Sequence, residues 1–572
     1  MIPIILSFLI SGGIFETEDT RNFDILLAGL EELRDNPVDL NTAGFDDLSR
    51  IPYLSPNDII KIINHRERFG YFNQMRELLK IPGFNKILLA TIEPYITISV
   101  RKFKIKSGSE RIRSQKTWER NGSEELYTAT KGWWNDYRLT LITEQDPYES
   151  SYLDYLCAGL TVNEDFRTFA LGKYDLDLGS GILFSSIGSF FQGLDFQMIS
   201  HERGVIAYSS TRENGGLFGG ALSDSLFLKY TLFYSNQKLD GRVDSLGQAW
   251  SLDESGEHVD STSMARQDRI HEEIYGYDIK YDFGGLRVSH TTYRCGYAPS
   301  FVTTDSFRRF YGDRFWMTGL NLRYTGPEYA LFGEIARAGR NRIGGLFGFS
   351  GVFPYVDFNI AGKYFPEGFY SPKGIEAENG RYLMNITLAH RSKIADLGAG
   401  LNLTDNTTED STRYDLKLNA GREIGRFDLR LILRWLFNED VLNLTASRAV
   451  IRVMPWDFLY VELRLEDKNS FATLPQARGV FGALETGLDL KRWAVKIRYG
   501  LFDTDSYGTR IIAYEPGLPG TVNNRALYNR GHYGFLLLTL KPVKPVALNF
   551  KVIVLERDSL TAHIGGQVDI KF

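Results

Sequence analysis

Cysteine is nearly missing from this chain of 572 residues, with only 2, Cys157 and Cys295. An oxidising compartment would permit a bridge between them, but two thiols so far apart have no metal-ligand spacing and are expected to be ordinary packed side chains. After residue 15 there is no apolar run of about 18 residues, which excludes spanning helices. The 8 histidines are scattered and neither H-E-x-x-H nor G-x-S-x-G occurs, so no metalloprotease or nucleophile-elbow hydrolase is signalled. No enzyme, metal site or cofactor is expected. A net charge of −5 is too small to name a partner.

Aromatic residues are abundant, at 13% with 38 Phe and 31 Tyr, and so is glycine at 55, while charged residues still reach 24%. That mixture suits strands apolar on one face, polar on the other, and bounded by aromatic girdles. The opening "MIPIILSFLISGGIF" (1–15) has the apolar stretch and small residues of a signal peptide, although without a positive start.

A helical segment follows. Phe23, Leu26, Leu27, Leu30 and Leu33 recur at helical spacing. Farther on, Thr42 is positioned to cap a helix whose first turn carries Asp46 and Asp47. Ser55-Pro56-Asn57-Asp58 has the order of a capping box, and Ile59, Ile62 and Ile63 then mark a buried face up to a cap at Gly70. Asn73 and Asn85 open two more short helices. Residues 16–98 therefore read as a small helical domain with tight turns at "IPYLSP" and "IPGFN".

In their order, "DLNTA", "HRERFGYF" and "LLKIPG" resemble the tandem helix-hairpin-helix domain of the competence protein family that receives DNA in the periplasm. The resemblance implies phosphate contact by Ser55, Asn57, Lys61, Gly83, Asn85 and Lys86, through hairpin backbone N–H groups and helix N-termini. The sequence departs from that pattern where Tyr53, Ser55 and Asn85 replace hairpin glycines. Residues 38–97 also balance seven basic against seven acidic side chains, with no basic footprint. The partner stays open between DNA and a periplasmic protein.

From about residue 100 the period changes to two. "DLRLILRWLF" (428–437), "LYVELRLED" (459–467), "WAVKIRYGLF" (493–502) and the closing "AHIGGQVDIKF" each alternate apolar with polar residues. A soluble sandwich and a membrane barrel share this alternation and differ only in which face is inside. A terminal aromatic, Phe572, resembles the signature read by the barrel-assembly machinery. Together with "FALGKYDLDLGSGILFSS" (169–186) and "RGVIAYSSTRENGGLFGGALS" (203–223), the layout resembles outer-membrane proteins of Bacteroidota-like bacteria that place a helix-hairpin-helix module before a barrel.

The expected fold is thus a signal peptide (1–15), a periplasmic helical domain (16–98) and an outer-membrane antiparallel β-barrel (99–572) of roughly 16–20 strands in contact with lipid. Seven Lys or Arg between 101 and 116 include Lys102, Lys104 and Lys106, which alternate and would line a pore mouth. The polar stretch around Arg203, Arg212 and Glu213 is expected as a lumenal constriction. The expected function is a non-enzymatic barrel whose helical module engages a partner, DNA in uptake or transport. The alternative is a solute pore or assembly factor whose module binds a periplasmic protein.

Overall fold

The computed structural model describes residues 23–572 apart from 36, 52–53, 85, 99–105, 119–123, 135, 147–154, 165–166, 187–201, 226–227, 254–257, 259, 303–311, 339–340, 354, 376–379, 392–394, 407–410 and 473–474. A small helical module precedes a closed antiparallel barrel of 24 strands. The strand number exceeds the 16–20 expected from length. Many wall strands are joined by turns of only a few residues, such as 284–285, 425–426 and 544–545, so little chain is lost between crossings.

Four helices build the module: α1 (Phe23–Asp35), α2 (Phe45–Ser49), α3 (Pro56–Phe69) and α4 (Lys86–Ile92). The third of the expected short helices is a 3-10 turn, Met75–Lys80. Ser55 caps α3: its hydroxyl accepts from Asp58 N–H while the Asp58 carboxylate accepts from Ser55 N–H at 3.0 Å. Gly70 ends the same helix at φ 84°, a conformation that suits glycine. The cap of α2 is Gly44 rather than Thr42, whose hydroxyl turns back to Asp39. Leu27, Leu30 and Leu33 of α1 share one core with Leu40, Leu48, Ile59 and Ile62. Each such leucine contributes about 1.5–3 kcal/mol of burial, so α1 belongs to the module. A two-residue parallel pairing, Val38–Asp39 with Ile96–Thr97, closes the module's ends together.

The barrel closes where Ser109 pairs with Lys571, and Gly108 and Phe572 exchange backbone hydrogen bonds of 2.7 and 2.9 Å. Both strand-bearing ends of the chain therefore lie at the short-turn end. At the other end the connections are long, notably 178–216 and 505–528.

The alternation noted in the sequence resolves inside out. On strand Trp493–Thr504, Ile497, Tyr499 and Leu501 are each about half exposed, whereas Lys496 and Arg498 are 4% and 5% exposed. Strand Leu459–Ser470 repeats the pattern, with Leu463 and Leu465 outside and Glu462 and Arg464 buried. An apolar exterior around a polar interior is the pattern of a barrel solvated by lipid. No described helix is long and apolar enough to cross a membrane. Cys157 and Cys295 are buried free thiols.

Candidate functional site: the plugged lumen

The inward face of the wall is charged, and much of that charge is matched by chain folded into the lumen. From the short-turn end the helical module enters and docks on opposite sides of the wall. Glu31 of α1 meets Arg111 in a forked pair, with Nη2 at 2.8 Å and Nη1 at 3.1 Å, and Arg111 Nε reaches Asp569 of the last strand at 2.6 Å. Glu32 pairs with Arg138 at 2.7 Å. Across the lumen, Asp46 of α2 meets both Arg287 and Arg323. Lys61 of α3 meets Asp357 at 2.7 Å, and Asn57 donates to Asn359 at 3.3 Å.

Burial alone would push the Glu31 carboxyl up, but the Arg111 guanidinium, helped by Lys131 and Arg34, outweighs it and holds the pKa at about 2. Glu32 is likewise held at about 2, burial being outweighed by Arg138 and Arg50. Both carboxylates are thus held ionised by the wall.

Two elements enter from the long-loop end. The first is the connection 178–216. Its Leu178, Ile182, Leu183 and Phe184 pack against wall residues Tyr293, Phe315 and Phe365 in a hydrophobic core inside the barrel. The side chain of Glu202, in the same connection, is only 1% exposed and pairs with Lys280 at 2.5 Å, Arg287 at 3.2 Å and Arg323 at 3.4 Å. Those two arginines are also the partners of Asp46, so module, connection and wall share one ionic cluster.

The second is a hairpin, Ile511–Pro516 paired with Val522–Leu527. A two-stranded hairpin leaves open edges whose carbonyls need partners. The wall supplies cations: Arg498 donates to Tyr514 O at 2.5 Å, Arg464 to Ile512 O at 3.2 Å and Lys468 to Arg510 O at 3.0 Å. Glu515 is fully buried between Lys551 at 3.3 Å and the Tyr533 hydroxyl at 2.8 Å. The tip reaches the module. Gly520, at φ 85°, sits so close that a Cβ there would lie 2.5 Å from Arg111 Nη1.

The sector of wall from Arg381 to Trp456 is filled less completely. Its inward Arg434, Arg430 and Arg448 keep 34%, 22% and 16% of their side-chain surface. Asp415 pairs with Arg434 at 2.8 Å and Asp428 with Arg430 at 3.0 Å. Water therefore reaches this polar strip.

Asn57 and Lys61 face the barrel wall, and the Ser55 hydroxyl is engaged with Asp58. Gly83 adopts φ 95° in the second hairpin. Lys86 is the first residue of α4, and Asn85 lies outside the described residues. Lys102 and Lys104 also lie outside them, while Lys106 begins the first wall strand opposite Trp134. Arg203 pairs with Asp177 at 2.5 Å, and the Arg212 carbonyl accepts from the Tyr208 hydroxyl at 2.6 Å. The Glu213 carboxylate lies beside His258.

Glu31, Glu32, Arg287 and Arg323 carried no local signature, and neither the helix-start position of Asp46 nor the basic run holding Arg111 pointed to docking. Only their positions relative to a closed wall give them meaning.

Residues 34–97 match the helix-hairpin-helix motif. No curated protein matches the chain. Among solved structures, the P pilus usher (PapC) translocation pore is similar at 7% identity and TM-score 0.38, covering 81% of this chain and 99% of that one. The FrpB iron transporter from Neisseria meningitidis is similar at 9% identity and TM-score 0.35, covering 82% and 83%. The copper transporter OprC is similar at 8% identity and TM-score 0.36, covering 83% and 81%.

Proposed function

We propose that this chain is a non-enzymatic outer-membrane conduit held shut by its own helix-hairpin-helix module, with the short-turn end in the periplasm. The observation that carries the reading is the docking of the module inside the lumen through Glu31–Arg111, Glu32–Arg138, Asp46–Arg287 and Lys61–Asp357. Partly buried ion pairs contribute little net stability against well-packed apolar contacts. They are also reversible by a competing charge, which suits a gate better than a permanent core.

On this reading a periplasmic protein engages the module's outward face. Phe69 and Tyr71 flank Gly70 there at 75% and 71% exposure, in a stretch that also carries Glu67, Arg68, Arg76, Glu77 and Lys80. Two adjacent exposed aromatics among mixed charges fit a protein surface better than a phosphate backbone. DNA is the competing partner. It would need the first hairpin, whose Asn57 and Lys61 are committed to the wall in the docked state.

Planar-bilayer recordings test the gate. The full chain should give little conductance, and a chain lacking residues 16–98 should give larger, frequent openings. Equal conductance of the two would overturn the proposal. Binding of labelled duplex DNA to the full chain should be absent at physiological salt. Tight binding there that is lost in Gly83→Val would make DNA the partner instead.

A further inference from the structure

At the long-loop end, away from the module, three side chains from two connections, 178–216 and 240–269, converge. Glu213 lies in the connection 178–216, Asp240 directly follows strand Lys229–Leu239, and His258 lies between Ala249–Leu252 and Ile270–Phe283. His258 Nε2 is 3.2 Å from Asp240 Oδ2 and 3.9 Å from Glu213 Oε2, and one donor atom from each residue lies within 4.8 Å of the others. The His258 and Asp240 side chains are 5% and 6% exposed, and that of Glu213 is 19% exposed.

One imidazole nitrogen carries at most one proton, so a neutral His258 can donate to only one of the two carboxylates facing it. Two carboxylates this close, largely removed from water, repel each other. The nearby Lys173 ammonium donates to the Glu213 main-chain oxygen at 3.3 Å and to the Gln237 side chain at 3.1 Å.

The Asp240 carboxylate and backbone are also held in place from behind. Asp240 Oδ1 accepts from Asp268 N–H at 2.8 Å, and Asp240 N–H donates at 2.9 Å to Asn214, the residue after Glu213. Such outer contacts orient metal ligands.

We propose that Glu213, Asp240 and His258 bind one divalent ion of the zinc class, with water completing the coordination. Donors about 2.0–2.2 Å from a common ion lie roughly 3–3.6 Å apart, so the present spacings close onto an ion with small side-chain movements. One imidazole nitrogen with two carboxylate oxygens favours a borderline transition ion over calcium or magnesium, which prefer all-oxygen sites. The ion would tie the connections 178–216 and 240–269 together at the mouth opposite the module.

The test uses the full chain in detergent, with any affinity tag removed, stripped by a chelator and titrated with zinc ions by calorimetry. Bound metal is counted by mass spectrometry. One equivalent is expected. Asp240→Asn, which keeps an oxygen for Asp268 N–H, and His258→Ala should each weaken binding at least about tenfold, with heat-modifiable gel mobility unchanged. No bound equivalent in the parent chain, or parent-like affinity in both variants, overturns the site. Should His258→Ala fail to fold, Glu213→Gln replaces it in the same comparison.

Discussion

Arg111 shows how one side chain can hold three parts of a molecule together. It forks onto Glu31 of the module, reaches Asp569 of the closing strand, and abuts Gly520 at the hairpin tip. Truncation to methionine removes the shared cation and leaves two carboxylates facing a low-dielectric interior. Breaking such a pair costs about 3–5 kcal/mol, and the apparent melting temperature of the detergent-solubilised chain should fall. Arg111→Lys should recover only part of the loss, because an ammonium cannot form the fork. Equal melting of the lysine and parent chains would remove the forked geometry from the account. Gly520→Val should loosen the hairpin tip, because both its positive φ and its approach to Arg111 exclude a branched side chain.

At the level of elements, the proposed gate is the helical module, and its contacts make that testable. Lys61→Asp should weaken docking of α3, and adding Asp357→Lys should restore it by reversing the pair. Limited proteolysis within the module reads the result, with rapid cutting in the single variant and parent-like protection in the double. Absence of rescue would mean that packing, not charge, holds α3 on the wall.

Acid should release α1 by a related route. Glu31 and Glu32 are held at about 2 when docked, and return towards their ordinary value near 4.5 when free. A lowered pKa favours docking fully above about pH 4.5, and that contribution disappears as pH falls towards about 2. Protection from protease should therefore decline across that window, while Glu31→Gln should show a smaller pH dependence from a weaker starting point.

For the whole molecule, closure runs along the pairing of the first and last wall strands, which Phe572 extends at one end. Phe572 and Gly108 exchange two backbone hydrogen bonds at the seam, and the Phe572 ring lies over Gly108, where a Cβ would meet it at 2.4 Å. Deleting Phe572 should lower the yield of heat-modifiable, membrane-inserted barrel several-fold in cell fractions. Recovery of the parent chain as a soluble monomer would contradict the membrane reading altogether. A barrel of 24 strands also encloses a lumen too wide for wall side chains to fill. The inserted connection, the hairpin and the module fill much of it, which explains why so many inward charges are buried yet paired.

Local chemistry was sufficient to place the capping box at Ser55, the cap at Gly70, the helical period of α1 and the two-residue period of the wall strands. Each of those depends on neighbours within a few positions, which the sequence displays directly. They gave a helical module before a strand-rich domain, and the resemblance of the layout and terminal strand to outer-membrane proteins made that domain a barrel. The direction of the strands did not follow, because alternation is the same whether lipid or water lies outside; the buried Arg498 beside exposed Tyr499 decided it. Nor did the placement of the module follow. Asn57 and Lys61 have the right chemistry for phosphate, but their partners Asn359 and Asp357 lie some three hundred positions away in sequence. Docking depends on long-range charge pairing across a closed wall, and that pairing has no local period or motif. Barrel and helix-hairpin-helix motif were therefore written in the sequence, whereas the plug exists only once the wall has closed around it.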